Sequence, residues 1–413
     1  MLLNTFKALE PAKRQNLLIL FITGLFFWTS TTCLLPTLPA YIQDLGATKQ
    51  QVGLVMGCFA IGLLLSRTWL GWLADHHSRK IVVLIGTVVV GIAPLGYLLA
   101  DSLPVLMGLR AFHGISIAAF TTGYSALVID LSPVKQRGEL IGYMSLVVPI
   151  GMALGPAVGG FLQAEAGYTV LFIVSAICGF MALILASLVK EKTRKKTLNL
   201  TDIPEPTRTF WQLMGNHALQ VPALVLFLIG LLFGNLVTFL PLYVEDIQVE
   251  LNVGLFYTAA AIASFSVRVF AGRASDTIGR GLLITGSLVC YIIAMILLAY
   301  AHTPRDFLLA ALIEGTGGGI LIPMILVLMS DRSYANERGK VSSICIGGFD
   351  LGIALAGPIL GFLAEMFSYR GIFSLTAGFA TLALLIFLTQ SGKNLPHSLR
   401  FALGQEKDAY ALD

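Results

Sequence analysis

Long apolar segments constrain the fold of this chain more than any other feature of its sequence. A helix needs about 20 mainly apolar residues to cross the hydrocarbon core of a membrane, and twelve segments of the 413-residue sequence reach that length. Soluble domains carry about 25% charged residues, whereas this chain carries 12%. The composition excludes a soluble enzyme, a nucleic-acid-binding protein and a disordered scaffold, and it predicts an all-α integral membrane protein in a lipid bilayer. The predicted spans are 15–42, 51–73, 81–100, 104–130, 140–163, 169–189, 219–244, 252–272, 281–301, 305–330, 341–364 and 369–390.

Basic residues mark one side of the predicted bundle. Of the 27 lysines and arginines, 21 lie in the termini and in the loops that follow even-numbered spans, whereas Lys49, Arg305 and Arg370 lie in the opposite loops. Loops rich in lysine and arginine remain in the cytoplasm, so both termini are predicted to be cytoplasmic. The short loops favour a multi-pass protein of the bacterial cell (inner) membrane. We call the side with the termini the basic end.

The two halves of the sequence repeat each other at an offset of about 201 residues. The matching pairs include Arg67 and Arg268, Gly71 and Gly272, Asp75 and Asp276, Arg79 and Arg280, Gly114 and Gly315, and Asp130 and Asp331. This repeat predicts a six-helix half at 1–189, a cytoplasmic linker at 190–218, a second six-helix half at 219–390 and a cytoplasmic tail at 391–413. Two parallel copies are typical of transporters that alternate access to a site between the halves, near the membrane midplane.

A short polar segment joins the second and third spans and recurs between the eighth and ninth. It runs from Gly71 through Asp75 to Arg79, and it resembles the signature loop of the major facilitator superfamily. Together with the six-plus-six plan, the resemblance covers nearly the whole chain. It implies two pseudo-symmetric halves and a cytoplasmic charge cluster, in which Asp75 pairs with Arg79 or another basic group near Asp130. His76 and Ser78 depart from the family pattern. The predicted gate residues are Gly71, Asp75, Arg79, Asp130, Gly272, Asp276 and Arg280.

The fourth span contains Arg110 and His113, followed by Gly114. This order resembles a second signature of the superfamily, which implies a role in proton transfer or in shaping the field of the cavity. A guanidinium does not deprotonate, so inside a membrane it needs a carboxylate, carbonyl groups or water as partners. The alternative is that Arg110 extends outward to the lipid headgroups, because it lies close to the outer end of its span.

The fifth span carries a stripe of glycines at intervals of four residues. Small residues at this spacing allow another helix to approach closely, and a proline adds a bend. The run resembles the antiporter motif of the drug:proton antiporter branch, which implies export rather than symport. Its members are Gly151, Gly155, Pro156, Gly159 and Gly160.

Two acidic residues lie within spans of the second half, Asp350 in the eleventh and Glu314 in the tenth. A carboxylate in a low-dielectric environment favours its protonated form, so both are candidate proton carriers. Asp350 is the first candidate because it lies nearer the middle of the membrane, and His113 stands at the repeat position of Glu314. The alternative for each acid is a structural ion pair or polar bridge between helices. The first span has no acid, which argues against a cationic drug as substrate.

Three polar or aromatic residues inside apolar spans, Trp28, Thr31 and Asn235, are candidate substrate contacts, and each fits helix packing equally well. The chain is predicted to be a secondary active transporter, and not an enzyme, that exports a small amphipathic molecule in exchange for protons. We expect a monomer with no metal and no cofactor beyond the proton gradient. The first alternative is an uptake symporter or facilitator for a sugar, organic acid or other metabolite. A less favoured alternative is a polytopic membrane enzyme or sensor.

Overall fold

The chain folds into helices that are joined by short turns. The computed structural model describes residues 9–133, 136–191, 208–334 and 337–412, except for the side chains of 269–277. Within these ranges it contains fifteen α-helices and no β-strand. In chain order they are α1 (Pro11–Thr32), α2 (Leu38–Asp44), α3 (Lys49–His76), α4 (Arg79–Tyr97), α5 (Leu103–Leu131), α6 (Arg137–Met144), α7 (Val147–Leu188), α8 (Phe210–Met214), α9 (His217–Asp246), α10 (Val253–Ile278), α11 (Arg280–Ala299), α12 (Pro304–Asp331), α13 (Arg338–Met366), α14 (Tyr369–Gln390) and α15 (Leu395–Ala402).

These helices account for twelve membrane crossings. Nine helical stretches in the described ranges are long and apolar enough to cross a membrane. One of the nine, Arg137–Leu188, has 52 residues and carries both the fifth and the sixth predicted spans. The two spans meet at Gly167, whose positive φ of 77° is a conformation that glycine adopts readily. The apolar stretch Val253–Arg268 of α10 is shorter, and α1 contains the apolar run of the first predicted span. Counted with these two, the helices match the twelve predicted spans.

The first predicted span, 15–42, was expected to be one helix, and the structure corrects this. Helix α1 ends at Thr32, and the chain turns before α2 begins at Leu38. Pro36 lies in the turn. Proline has no N–H to donate and restricts the residue before it, which favours a break here, although α7 continues through Pro156.

Three other segments differ from their predicted form. The fifth span begins at Arg137 as α6 and is interrupted before α7 begins at Val147. The linker and the tail, expected to be plain connecting segments, carry the short helices α8 and α15. The polar segment between the second and third spans is almost wholly helical, because α3 continues to His76 and α4 begins at Arg79.

The chain divides into two compact units. The first contains the described residues up to Glu191 together with Asn252–Thr258, and the second contains the described residues of 208–251 and those from Ala259 onward. In the first unit α1 packs along α7, and α5 packs against α3 and α4. In the second unit α9 packs along α13, and α12 packs against α11. Equivalent helices of the repeat therefore make equivalent contacts.

Glycines at equivalent positions allow these close contacts. A Cβ atom built on Gly114 would lie 1.9 Å from the carbonyl oxygen of Phe59, and one built on Gly315 would lie 2.0 Å from that of Ala260. Both glycines, and both carbonyl groups, are separated by the 201-residue offset of the repeat. The repeat is therefore present in the helix contacts as well as in the sequence.

Candidate transport site and gate

An ion pair links two helices at the basic end of the first unit. Arg79 begins α4, and its Nη1 lies 2.5 Å from Oδ2 of Asp130, near the end of α5. The same Nη1 donates a hydrogen bond to the carbonyl oxygen of Ala126, at 2.8 Å. In the second unit Arg280 and Asp331, at the repeat positions, form the same pair between α11 and α12. Each unit therefore holds one ion pair formed by residues at the predicted gate, and we call these two the gate pairs.

The structure differs from the predicted pairing at Asp75. This residue is exposed near the end of α3, and among the described residues it has no ion-pair partner. Arg79 pairs with Asp130 instead, because Arg79 lies on the following helix, where its side chain runs along α5. Gly71 was expected to allow close helix approach, yet a Cβ there would meet no described atom within 4 Å. The side chains of Gly272 and Asp276 lie outside the described residues.

Glu191, which the sequence analysis did not identify, holds the start of α4. Its carboxylate accepts hydrogen bonds from the Ser78 hydroxyl and from the backbone N–H of Arg79, the latter at 2.9 Å. A helix N-terminus carries unpaired N–H groups and partial positive charge, and both are satisfied by a carboxylate. Glu191 follows the end of α7, so it connects the sixth span to the third beside the Arg79–Asp130 pair.

Arg208 and Glu337 join the linker to the eleventh span. The guanidinium Nη2 lies 2.7 Å from Oε2 of Glu337, and the backbone N–H of Arg208 donates to Oε1, also at 2.7 Å. Glu337 is fully buried and precedes α13. Hydrogen bonds from the Arg208 side chain hold the pKa of the Glu337 carboxyl below its ordinary value. This pair fixes the entry of the chain into α13, the helix of Asp350.

Arg110 and His113 form a buried polar cluster in the first unit. The Arg110 guanidinium lies over the ring of Phe59, 4.5 Å from its centroid, so a cation–π contact stabilises the charge. Nδ1 of His113 lies 3.0 Å from the Tyr97 hydroxyl. Within the described part of the chain, Nε of Arg110 and Nε2 of His113 are buried without hydrogen-bond partners. Arg110 is only 7% exposed, so its side chain lies inside the bundle and does not extend to the headgroups.

The glycine stripe of the fifth span lies against the first span. A Cβ on Gly151 would lie 2.3 Å from Cβ of Trp28, one on Gly155 would lie 2.0 Å from Oγ1 of Thr32, and one on Gly159 would lie 1.9 Å from the carbonyl oxygen of Cys33. The Thr32 hydroxyl also donates to the carbonyl oxygen of Gly151, at 2.9 Å.

The other two members of the motif face residues 252–254 of the first unit. A Cβ on Gly160 would lie 2.1 Å from Oδ1 of Asn252, and one on Gly254 would lie 2.0 Å from the carbonyl oxygen of Pro156. The motif is therefore an interface for close helix packing on two sides of α7.

Both candidate proton carriers lie inside helices of the second unit. Asp350 is 8% exposed and lies near the middle of α13, where this helix touches α9. A Cβ on Gly352 would lie 2.2 Å from the carbonyl oxygen of Phe227, so the two backbones are in contact two residues from the acid.

Glu314 is 7% exposed and lies near the middle of α12. Its carboxylate and the Tyr291 hydroxyl both approach Gly318, since a Cβ there would lie 3.8 Å from Oε1 of Glu314 and 2.9 Å from the phenol oxygen. The acid therefore has a fully buried tyrosine of α11 beside it.

Comparison with known proteins decides the family. The sequence profile of the Major Facilitator Superfamily matches residues 20–336 and 250–405. The chain belongs to the major facilitator superfamily. This confirms the predicted fold class, twelve membrane helices in two six-helix halves, and it makes the protein a secondary active transporter of small molecules that crosses the membrane many times.

Curated relatives within the superfamily cover most of this chain. Quinolone resistance protein NorA of Staphylococcus aureus (strain MSSA476) is 24% identical over 371 residues, which are 87% of this chain and 93% of NorA. Multidrug resistance protein MdtG of Klebsiella pneumoniae (strain 342) is 25% identical over 388 residues, which are 88% of this chain and 90% of MdtG. The resemblance to the drug:proton antiporter branch is thus supported along nearly the whole chain.

Solved structures share the fold at lower identity. A variant of the nucleoside transporter NupG superposes with a TM-score of 0.75 at 14% identity and covers 90% of this chain and 98% of its own. A bacterial homologue of the human lysosomal transporter Spinster superposes with a TM-score of 0.71 at 15% identity and covers 98% of this chain and 99% of its own. The shared fold is that of the major facilitator superfamily.

The predicted substrate contacts occupy different environments in this superfamily fold. Asn235 is fully buried, and its Nδ2 donates to the Thr376 hydroxyl at 3.3 Å, which bridges α9 and α14. The Thr31 hydroxyl is buried and donates to the carbonyl oxygen of Phe27 in its own helix. Trp28 is partly exposed and packs edge-on against Phe27. Among the three, Trp28 has the most side-chain surface left for a substrate.

Proposed function

We propose that this protein exports a small amphipathic molecule from the cytoplasm in exchange for protons. The basic end faces the cytoplasm, both termini lie there, and the membrane is a bacterial inner membrane. The transporter works as a monomer, without metal or cofactor, and uses the proton gradient as its driving force. NorA and MdtG, whose names describe resistance to quinolones and to several drugs, support export.

The burial of two carboxylates inside membrane helices carries this proposal. Placing an acid within the hydrocarbon region costs several kcal/mol unless it is paired or protonated, and such residues mark proton and ion pathways in transporters. Asp350 and Glu314 both lie near the middle of their helices, and each is at least nine-tenths buried. Both belong to the second unit, so this unit is the proton-binding half.

The cycle follows from the low dielectric around these acids. A carboxylate that opens to the outside binds a proton, and the neutral form no longer attracts a polar substrate group. When the site opens to the cytoplasm, the acid loses its proton and the substrate binds again. Release of the substrate outside and of the proton inside therefore alternate, which couples export to proton entry.

Everted membrane vesicles test the coupling. A panel of dyes, antibiotics and metallophores is offered to vesicles with an imposed proton gradient, and uptake into them reports export. We expect Asp350→Asn to abolish uphill transport, and Glu314→Gln to impair it, because an amide cannot carry a proton. A protonophore should abolish transport by the wild type.

Glu365→Gln is the matched control, because Glu365 lies on the same helix as Asp350 but is exposed. This variant should transport as the wild type does. Uphill transport by Asp350→Asn and Glu314→Gln at the wild-type rate would remove both acids from the mechanism. Substrate movement in the opposite direction, with its gradient driven by protons, would replace export by uptake symport.

A further inference from the structure

The last described segment of the chain folds back onto the basic end of the second unit. Helix α15 packs on α14 and α11, and the Thr285 hydroxyl of α11 donates to the carbonyl oxygen of Ala402, at 2.8 Å. Beyond α15, the backbone N–H of Leu412 donates to the carbonyl oxygen of Asp331, also at 2.8 Å. Residues 391–412, which we call the tail clamp, are therefore bound to this unit from end to end.

Arg332 is the centre of this arrangement. Its guanidinium is paired with the Asp408 carboxylate through Nε at 2.8 Å and Nη2 at 2.9 Å. Its Nη1 donates to the carbonyl oxygen of Ala218 at 2.7 Å, and Nη2 donates to that of Ser391 at 2.8 Å. Arg332 is only 2% exposed. One side chain thus ties together the start of α9, the end of α12, the end of α14 and the tail clamp.

In the first unit, different contacts hold the position that is equivalent to the Arg332 cluster. There Asn16 of α1 bonds the backbone of Lys190, donating to its carbonyl oxygen at 3.0 Å and accepting from its N–H at 3.1 Å. Lys190 and Ser391 are separated by the offset of the repeat, and so are Leu131 and Arg332. A leucine therefore stands in the first unit where the second unit has its buried arginine. The charged group that follows the sixth span of the first unit, Glu191, binds the start of α4 instead.

We infer that Arg332 and Asp408 are positioning residues for the gate pair of the second unit. Arg332 directly follows Asp331, and the tail clamp binds the backbone of Asp331 through Leu412. The Arg332–Asp408 pair thereby fixes the end of α12 from which Asp331 reaches Arg280. The inference rests on the proposed function in one respect: the Arg280–Asp331 pair closes the cytoplasmic side during export.

Hydrogen exchange measured by mass spectrometry tests the positioning without any substrate. Asp408→Asn removes the charged pair. Loss of a hydrogen bond to a charged group changes the equilibrium between the closed and the locally opened backbone by about tenfold or more. We expect exchange at least about tenfold faster both in peptides from 392–412 and in peptides from 328–334. Asp408→Glu, which keeps the charge, should restore slow exchange in part and serves as the second variant should Asp408→Asn fail to fold.

Glu406→Gln is the control, because Glu406 lies on the same segment and contacts only His397, at 4.0 Å, among the ion pairs of the described residues. It should leave exchange in both regions unchanged. Faster exchange in 392–412 alone, with 328–334 unchanged, would overturn the positioning role. An equal effect of Glu406→Gln would overturn it as well.

Transport separates this inference from the proposed function. If the wild type exports a compound, Asp408→Asn should lower kcat several-fold with little change in KM, because the substrate contacts are untouched. If the wild type exports nothing while Asp408→Asn accelerates exchange in both regions, the proposed export is wrong and the tail clamp stands. An unchanged kcat together with faster exchange would show that the gate pair does not depend on the clamp.

Discussion

Gly159→Ala should separate the first and fifth spans and abolish transport. A Cβ at this position would lie 1.9 Å from the carbonyl oxygen of Cys33, whereas ordinary van der Waals contact begins at 3.4 Å. The obstacle is backbone, so no side-chain rotation removes it. The two helices must therefore move apart by about 1.5 Å, the difference between these distances.

The energetic effect follows from this overlap. Adding a methyl group to a well-packed interface costs typically about 1–3 kcal/mol, which changes the equilibrium between packed and separated helices roughly 5- to 150-fold. Gly155→Ala should cost less, because the backbone atoms there lie at 3.0 Å, and the nearest atom, Oγ1 of Thr32 at 2.0 Å, belongs to a side chain that can rotate at the loss of its hydrogen bond to Gly151. Gly142→Ala, at an exposed glycine just before α7, should be neutral since a Cβ there meets nothing within 4 Å.

Reconstituted transport and thermal unfolding in detergent measure the three variants side by side. We expect initial export rates in the order Gly142→Ala, Gly155→Ala and Gly159→Ala, from the highest to the lowest, with melting temperatures falling in the same order. If Gly159→Ala transports and melts as Gly142→Ala does, the contact between α1 and α7 is not needed and the reasoning is refuted. If it folds with a normal melting temperature but does not transport, the contact serves the conformational change alone.

Two further predictions concern charged pairs at the basic end. Asp130→Asn and Asp331→Asn should each lower the export rate by no more than about fivefold, because partly exposed ion pairs contribute about 0.2–1 kcal/mol. A double variant that lost no more activity than either single one would show that the two pairs act together rather than separately. Glu337→Gln should lower the melting temperature at neutral pH, and this difference from the wild type should shrink as the pH falls below about 4.5, the ordinary pKa of a glutamate carboxyl. The reason is that the pKa of Glu337 is lower in the folded state than in the unfolded state. Its pair with Arg208 therefore stabilises the protein above the unfolded-state pKa, and this stabilisation is lost on acidification. A melting-temperature difference that stays constant from pH 7 to about pH 3.5 would contradict the role of the charge.

The sequence predicted those parts of the structure that leave a periodic signal. Twelve apolar segments and an offset of 201 residues are statistical features of the chain, and the helices and the equivalent contacts at Gly114 and Gly315 follow them. Breaks were harder to predict: Pro36 lies inside an apolar run, and the run alone does not show that the helix stops at Thr32. Hydropathy counts residues over a window, and a proline alone does not locate the break either, because Pro156 lies inside the continuous helix α7.

Side-chain partners across the fold were the least predictable features. Asp75 and Arg79 are four residues apart and suggest a pair along one helix, but α3 ends between them, and Arg79 pairs with Asp130 instead. Glu191 and Arg332 lie in segments whose sequence indicates no more than the charged end of a span. Their partners are more than 70 residues away in sequence, and no local pattern encodes such a distance.

The positions at which the two units differ show how the repeat divides the chemistry of transport. Arg110 and His113 of the first unit stand where the second unit has Ala311 and Glu314. The buried guanidinium of Arg110 therefore has an alanine, Ala311, at its repeat position, three residues before an acid. A guanidinium stays charged throughout the cycle, whereas a buried carboxylate gains and loses a proton. Under the proposed export mechanism, the two buried carboxylates that bind protons, Asp350 and Glu314, both belong to the second unit, and the first unit contributes Arg110 and the glycine interface.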